Sequence, residues 1–277
     1  TSQGIPRNTR MHFFRTYFWP MHHKDVIVQM ASRDIRSRYR QSWLGMGWLF
    51  LTPLLMLTVY TLVFKEVFRV RWAGADESHV AFALRLYAGL VVFNFFAECV
   101  NRSPQLVADQ PNLVKKVVFP IEILPWASTL AALVPLGVGA ALLLGLVLWS
   151  SGALPWTALG LLWVWFPLLP LCLGLGWALS ALGAYVRDIG QILGLAMAAL
   201  LFLSPVFFPV EALPTRIQKL MVLNPLAAVI TQTREVLITG SWPSWVAWVV
   251  NAALALAVAG LGAWLFDRLR PGFADVL

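Results

Sequence analysis

The sequence has little of what soluble enzymes contain in quantity. Charged residues make up 12% of its 277 residues, against about 25% in typical soluble domains. Its two cysteines, Cys99 and Cys172, show no CxxC or Cys/His spacing, so we expect both to be buried apolar side chains. The sequence contains no GxxxxGKS/T, HExxH or GxSxG motif and no paired acidic cluster with metal-ligand spacing. ATP hydrolysis and metal-assisted catalysis are therefore not encoded in these residues.

Long apolar runs dominate the chain, which is 59% hydrophobic with a mean hydropathy of +0.73. A bilayer core about 30 Å thick is crossed by a helix of about 20 apolar residues. Six runs reach or approach that length: 44–64, 84–100, 126–149, 156–183, 189–208 and 245–266. The sequence therefore predicts an all-α integral membrane protein with six transmembrane helices. The fourth is expected to kink at Pro167 and Pro170, and no room is left for a separate soluble catalytic domain.

The net charge is +8, and the basic residues flank the apolar runs. This placement indicates membrane orientation and not a nucleic-acid partner. Six spans place both termini on one side, which then carries fourteen Lys and Arg residues against seven on the other. The positive-inside rule predicts that both termini are cytoplasmic. We expect a cytoplasmic N-terminal segment at 1–43, a single transmembrane domain at 44–266 and a cytoplasmic tail at 267–277.

Two segments outside the spans have helical patterns. Residues 23–41 predict an interfacial amphipathic helix, with a solvated charged arm as the alternative. The apolar stripe of this helix consists of Val28, Ala31, Ile35 and Tyr39. Residues 210–244 are too polar to span and break at Asn224-Pro225, because proline disfavours helix in the residue before it. Two short helices that dip into the outer half of the bilayer fit this pattern, and an ordinary external loop fits it nearly as well.

Ionisable and aromatic residues within the spans are the next candidates for function. Glu98 is the only acid well inside a span, and we interpret it as a snorkelling or paired structural carboxylate in preference to a mechanistic one. Aromatic residues make up 13% of the chain, and many lie near span ends, as is typical of interfacial belts. A flat aromatic face also suits a sugar ring, so an aromatic-lined glycan path is the alternative. Its candidate residues are Trp43, Trp48, Tyr60, Phe202 and Phe207.

A family resemblance is carried by several segments taken in order. They are RDIRSRYRQSWLGMGW at 33–48, NLVKKVVFPIEILP at 112–125, YVRDI at 185–189, LSPVFFP at 203–209 and LNPL at 223–226. In their order and spacing they resemble the polysaccharide-exporting ABC-2 permeases, the membrane subunits of O-antigen, capsule and teichoic-acid exporters. The match extends from about residue 30 to residue 240.

The resemblance implies the fold and the partners of an ABC-2 permease. Such a chain is a six-span half-transporter with short re-entrant helices between spans five and six that gate the outer end of the pore. It pairs with a second copy of itself as a homodimer and binds two separate ATPase subunits. ATP and Mg²⁺ are then bound by the ATPase, and no cofactor is expected in this chain. The complex moves a lipid-linked polysaccharide outward across the bacterial inner membrane, and a periplasmic or envelope-spanning export partner is left open.

The resemblance also implies a coupling helix between spans two and three, which maps to about 103–118. The residues expected to contact the ATPase there are Gln105, Asp109, Asn112, Lys115 and Lys116. Arg187 and Asp188 are a second candidate contact. A helix-capping acid beside a positive-inside arginine is the equally good alternative for this pair.

The basic helix ahead of the first span is the candidate for recognition of the lipid carrier. Each Lys or Arg near an anionic membrane surface contributes roughly 1 kcal/mol of attraction. We therefore expect Arg36, Arg38 and Arg40 to attract the anionic phosphate of the carrier and the surrounding membrane lipids.

Two other functions compete with polysaccharide export. An ABC-2 exporter of drugs or simple lipids would need the same ATPase docking but no continuous pore of sugar width. An intramembrane enzyme acting on lipid-linked glycans would need clustered acid and base groups within the spans, which this sequence lacks. Export by a non-catalytic membrane subunit is therefore the favoured hypothesis.

Overall fold

The computed structural model describes residues 17–40, 42–67, 72, 78–115, 119–210, 213–221 and 224–276. Helices make up nearly all of these residues, and no strand occurs among them, so the predicted all-α class is confirmed. Ahead of the first span lies α1, Lys24–Tyr39. Short helices occur in two of the described connections between the spans that follow, and the two cysteines are both buried as expected.

Within the described ranges, five helical stretches are long and apolar enough to cross a membrane: Gly45–Val67, His79–Arg102, Ile121–Ser151, Trp156–Tyr185 and Trp245–Gly272. The α-helices within them are α2 (Trp48–Thr61), α3 (His79–Arg102), α6 (Leu124–Ser151), α7 (Leu161–Trp165), α8 (Leu168–Tyr185) and α12 (Trp245–Leu269). The fourth stretch is interrupted at Pro167, which is the residue before α8. Proline supplies no backbone N–H, so the helix restarts there.

The fifth predicted span, 189–208, is shorter than expected. The helix α9, Ile189–Leu203, has 15 residues, which corresponds to about 22 Å at 1.5 Å per residue. It ends at Ser204, whose backbone is extended with φ −99° and ψ 150°. The following Pro205 disfavours helix at Ser204, which is the physical reason for the early end.

Five further short α-helices lie in the described part of the chain. Two of them, α4 (Gln105–Ala108) and α5 (Pro111–Lys115), connect α3 to the third span. Between α9 and α12 lie α10 (Thr215–Met221) and α11 (Pro225–Arg234), and α13 (Phe273–Val276) follows α12. The predicted break lies between α10 and α11, and Asn224 caps the start of α11, because its side-chain oxygen accepts a hydrogen bond from the Leu226 N–H at 3.0 Å. Most of α11 is buried, so this part of the segment is a packed helix and not a free external loop.

The core is centred on α3, which buries fourteen of its residues and packs against α2, α6, α9 and α11. A second close contact joins α8 to α12. A Cβ atom on Gly174 would lie 2.5 Å from the Val258 carbonyl oxygen and 2.6 Å from the Ala259 nitrogen. Because any side chain would force these backbones apart, glycine is required at this crossing.

The helix α1 packs on the protein and is not a solvated arm. Its residues Ile27 and Ala31 are buried, and Ile27 joins a small apolar cluster with Ile123 and Ala127 at the start of the third span. Ala31 is buried as the predicted stripe requires, but Val28 is 57% exposed. The inward face is therefore rotated toward Ile27, because the contact with the third span fixes the helix phase.

Candidate functional site

The inward face of α1 continues from apolar to charged residues. Asp34 and Arg38 follow Ala31 at the spacing that keeps side chains on one helix face. They meet Glu98 and Arg102 near the end of α3. These four residues are called the charged network below.

Ion pairs in the charged network join α1 directly to α3. Arg102 donates two hydrogen bonds to the Asp34 carboxylate, at 2.6 Å to Oδ2 and 2.5 Å to Oδ1. Arg38 donates to the same Oδ2 at 2.7 Å and to Oε1 of Glu98. Two carboxylates thus face two guanidinium groups. Glu98 is one of these carboxylates, which agrees with its interpretation from the sequence as a paired carboxylate. Bidentate pairs of this kind fix orientation as well as distance.

The charged network is partly shielded from water. Its four side chains are between 22% and 33% exposed. Burial raises the pKa of Asp34 above its usual range, while the neighbouring Arg38 and Arg33 act in the opposite direction. Because the Asp34 carboxylate is partly desolvated, removal of an arginine partner would leave it poorly compensated.

The arginines of α1 divide between two faces. Arg36 and Arg40 are exposed and line an open groove of about 680 Å³ together with Arg33, which sequence reasoning missed. Gln29, Ser32 and Ser37 contribute polar groups to the same groove. Arg38, the third predicted carrier contact, is held in the charged network instead. The i, i+3, i+7 spacing of positions 33, 36 and 40 is the signal that could have found this grouping.

The connection between α3 and the third span carries the residues predicted to contact an ATPase. In the 103–115 segment, Gln105, Asp109 and Asn112 are exposed, whereas Val107 between them is fully buried. Lys115 ends α5, and Lys116 lies outside the described residues. The segment therefore presents a polar face outward and an apolar anchor inward.

The 103–115 segment is fixed to the end of α8. A Cβ atom on Gly183 would lie 2.6 Å from the Pro104 Cα, so glycine permits the two backbones to touch. The Ser103 hydroxyl donates to the Cys99 carbonyl at 2.6 Å and is buried, which makes the joint with α3 tight. A displacement of this segment would consequently move the ends of both α3 and α8.

The second predicted ATPase contact lies in the turn after α8. Arg187 and Asp188 are both exposed there. Asp188 occupies the position before α9, but its side chain forms no capping hydrogen bond. The capping interpretation of this acid is thus not supported by its geometry.

The aromatic residues predicted for a glycan path form one cluster and two separate positions. Phe207 stacks on Phe64 with ring centroids 4.1 Å apart, lies edge-on to Tyr60 at 5.4 Å, and is 5.5 Å from Phe202. Trp48 begins α2 at its other end, and Trp43 lies just before it and is 97% exposed. Phe207 itself is 1% exposed, so it packs against the other rings from the protein side, while Phe202 is largely exposed.

A buried arginine that sequence reasoning missed holds α11 in place. The guanidinium of Arg234 donates to the carbonyl oxygens of Arg85 at 2.9 Å, Pro205 at 2.6 Å and Val206 at 2.8 Å. It also lies over the Trp72 ring at 4.3 Å. No sequence signal points to these contacts, because the acceptors are backbone carbonyls that any residue supplies.

Two additional hydrogen bonds attach the same region to the fourth span. The Trp165 indole N–H donates to the Thr233 hydroxyl at 3.0 Å, and the Thr157 hydroxyl donates to the Val236 carbonyl at 2.6 Å. All four residues are buried. With the Arg234 contacts, these bonds make α11 a rigid part of the helical core.

Comparison with known proteins agrees with this architecture. Residues 25–238 match the ABC-2 type transporter family. The chain is 24% identical to the O-antigen export system permease protein RfbA of Klebsiella pneumoniae, over 91% of this chain and 95% of that protein. It is 26% identical to the polysialic acid transport protein KpsM of Escherichia coli, over 78% and 83% of the two chains. It is also 26% identical to the capsule polysaccharide export inner-membrane protein CtrC of Neisseria meningitidis serogroup B, over 76% and 79%.

Proposed function

Since the chain belongs to the ABC-2 type transporter family, we propose that it is the permease subunit that exports a lipid-linked polysaccharide across the bacterial inner membrane. The observation that carries this cargo is the similarity, over at least 76% of the chain, to proteins named for O-antigen, polysialic acid and capsule export. In the proposed topology both termini are cytoplasmic, following the distribution of basic residues. The lipid carrier then enters from the side where α1 lies.

ATP hydrolysis belongs to a partner in this proposal. Two ATPase subunits bind ATP and Mg²⁺ and dock on the 103–115 segments of two copies of this chain, which pair as a homodimer. The exposed polar face of Gln105, Asp109 and Asn112 supports this docking, as does the nearby exposed turn at Arg187 and Asp188. The anchoring of Pro104 against Gly183 supports transmission of the ATPase movement into the spans.

The groove along α1 is the proposed first contact for the carrier phosphate. Arg33, Arg36 and Arg40 line it, and each basic residue near the membrane surface contributes roughly 1 kcal/mol of attraction for an anion. Arg38 and the Asp34 carboxylate neutralise one another nearby, so the groove arginines carry the local excess of positive charge. Arg38 acts on the carrier only through the position of α1.

The polymer is proposed to pass along the faces of α2 and α9. Only 11% of the most apolar stretch of the first span is buried inside the protein, and α9 buries one residue, Met197. These faces are therefore available to a second copy, to lipid and to cargo. Tyr60 and Phe202, supported by Phe207, supply aromatic surface for weak and replaceable contacts with sugar rings.

Removal of this chain in its native host tests the cargo. Cells that lack the permease are expected to lose polysaccharide from their surface and to accumulate the lipid-linked polymer inside, with both effects reversed by a plasmid copy. Normal surface polysaccharide together with new sensitivity to drugs would contradict polysaccharide export and favour the drug-exporter alternative.

A further inference from the structure

The charged network lies where two proposed functional elements approach each other. Arg102 is the last residue of α3 and is followed directly by the 103–115 segment. Its guanidinium holds Asp34 of α1 through two hydrogen bonds. On α1, Arg33 and Arg36 lie within two positions of Asp34 and face the groove. One ion pair therefore separates the ATPase-contacting segment from the groove arginines.

Side-chain packing leaves a gap beside this ion pair. A second groove of about 470 Å³ lies between α1 and the 103–115 segment, with Met30 and Arg33 on one side and Leu106 and Gln110 on the other. Asp34 and Arg102 also line this groove and bridge it. The bidentate pair consequently joins α1 to the last residue of α3, directly before the 103–115 segment.

The ends of the linkage are attached firmly. On the α3 side, the buried Ser103 hydroxyl donates a hydrogen bond to the Cys99 carbonyl, and Pro104 contacts Gly183. These two contacts hold the start of the 103–115 segment in a fixed position relative to Arg102. On the α1 side, Arg38 holds Asp34 and Glu98 at once, which fixes the Asp34 carboxylate from a second direction. Orientation is transmitted as well as position, because a guanidinium and a carboxylate pair in a defined plane.

We propose that Asp34, Arg38, Glu98 and Arg102 form a transmission linkage that moves α1, and with it the groove arginines, when the ATPase displaces the 103–115 segment. The linkage presupposes the proposed function and adds to it the route by which ATP binding alters carrier recognition. It requires that the paired arrangement be favoured in one state of the ATPase cycle more than in the other. Arg38 is accordingly a positioning residue, whereas Arg36 and Arg40 contact the carrier.

A double-mutant cycle on the complex of this chain with its ATPase separates these roles. The variants are Asp34→Asn, Arg102→Gln and the two combined, reconstituted in phosphatidylethanolamine–phosphatidylglycerol liposomes. The probe is the lipid-linked polymer extracted from cells that lack the ATPase. We expect each single variant to keep basal ATPase activity and to lose maximal stimulation by the polymer about five-fold or more, with the double variant no worse than either single one.

Three matched comparisons distinguish the linkage from carrier binding and from general damage. Asp25→Asn changes an exposed acid on the same helix and is expected to leave stimulation unchanged. Arg36→Gln with Arg40→Gln is expected to raise the polymer concentration needed for half-maximal stimulation while keeping the maximum. Arg102→Lys keeps the charge without the bidentate geometry and is expected to restore stimulation in part.

Independent effects of Asp34→Asn and Arg102→Gln, multiplying in the double variant, would overturn the linkage. If the polymer fails to stimulate even the unmodified complex, the cargo proposal fails, and a second measurement decides the linkage on its own. Spin labels at positions 25 and 101 are expected to keep their separation on trapping with ATP and vanadate, because the ion pair moves α1 together with the end of α3, and to change it in Asp34→Asn. A changed separation in the unmodified complex, or an unchanged one in both proteins, would contradict the transmission.

Discussion

Neighbouring arginines on α1 have different surroundings although the sequence gives them similar roles. Arg36 and Arg40 face the open groove, whereas Arg38 faces α3 and binds Asp34 and Glu98. The presence of a basic helix was predictable from composition and periodicity. The spacing of positions 33, 36 and 40 places these arginines on one face, but the sequence does not predict that Arg38 faces α3, because the helix phase is set by the packing of Ile27 against the third span.

Arg234 is the side chain whose removal is expected to harm the fold most. It satisfies three backbone carbonyls in the interior, and a buried hydrogen-bond acceptor left without its donor costs about 1–3 kcal/mol. Arg234→Gln is therefore expected to lower the free energy of unfolding by at least about 2 kcal/mol and to reduce the Tm in detergent. The matched variant Arg216→Gln changes an exposed arginine of α10 and should leave the Tm unchanged. Equal Tm values for the two variants would show that the three carbonyl contacts do not support the fold.

At the level of helices, all six predicted apolar runs are helical: five lie in stretches long enough to span a membrane, and the run 189–208 contains the shorter apolar helix α9. The predicted runs and the observed helices agree because the length of an apolar run determines whether a helix can cross the membrane, and that length can be measured in the sequence. Only the end of the fifth run differs from the helix, since its apolar residues continue to Phe208 while Pro205 ends the helix at Leu203. The two short helices around Asn224 were predictable from the proline, but the attachment of α11 through Arg234 and Trp165 was not, because it depends on contacts across the fold.

The crossing of α8 and α12 provides a test with its control in the same helix. A Cβ atom at Gly262 would overlap the Gly174 carbonyl, whereas Gly260 has open space where its Cβ would lie. Gly262→Ala is expected to separate the two helices and to cost about 1–3 kcal/mol of stability, as overpacking does. Gly260→Ala should be close to neutral in a thermal unfolding assay. If both alanines are tolerated equally, the close crossing described here is wrong.

The 103–115 segment leads to a prediction about assembly. Lys115→Glu combined with Lys116→Glu reverses two adjacent charges of the predicted coupling segment. We expect this change to weaken ATPase binding about tenfold or more, which corresponds to at least about 1.4 kcal/mol, while the permease stays folded. Affinity purification of the permease with quantification of the bound ATPase measures the effect. Lys24→Glu, on α1, is the control, and undiminished ATPase recovery from the double variant would refute docking at this segment.

At the scale of the whole molecule, the rigid parts and the available surfaces lie in different places. The core around α3, α8 and α12 is tightly packed, and α11 is tied to it by buried hydrogen bonds. The first span and α9 bury little of their surface within one copy. Such a distribution fits a protein that moves cargo between copies while each copy keeps its own fold. No apolar run or motif in the sequence predicts which spans expose their surface, because that depends on which helices pack against α3.

The most direct test of export is the ATPase activity of this chain reconstituted with its genomically adjacent ATPase, measured with and without the purified lipid-linked polysaccharide of the host. The complex is expected to assemble, and its ATPase activity is expected to rise with the polymer until it saturates and not to rise with the carrier lipid alone. A complex that hydrolyses ATP at the same rate whether or not the polymer is present would contradict the proposed cargo.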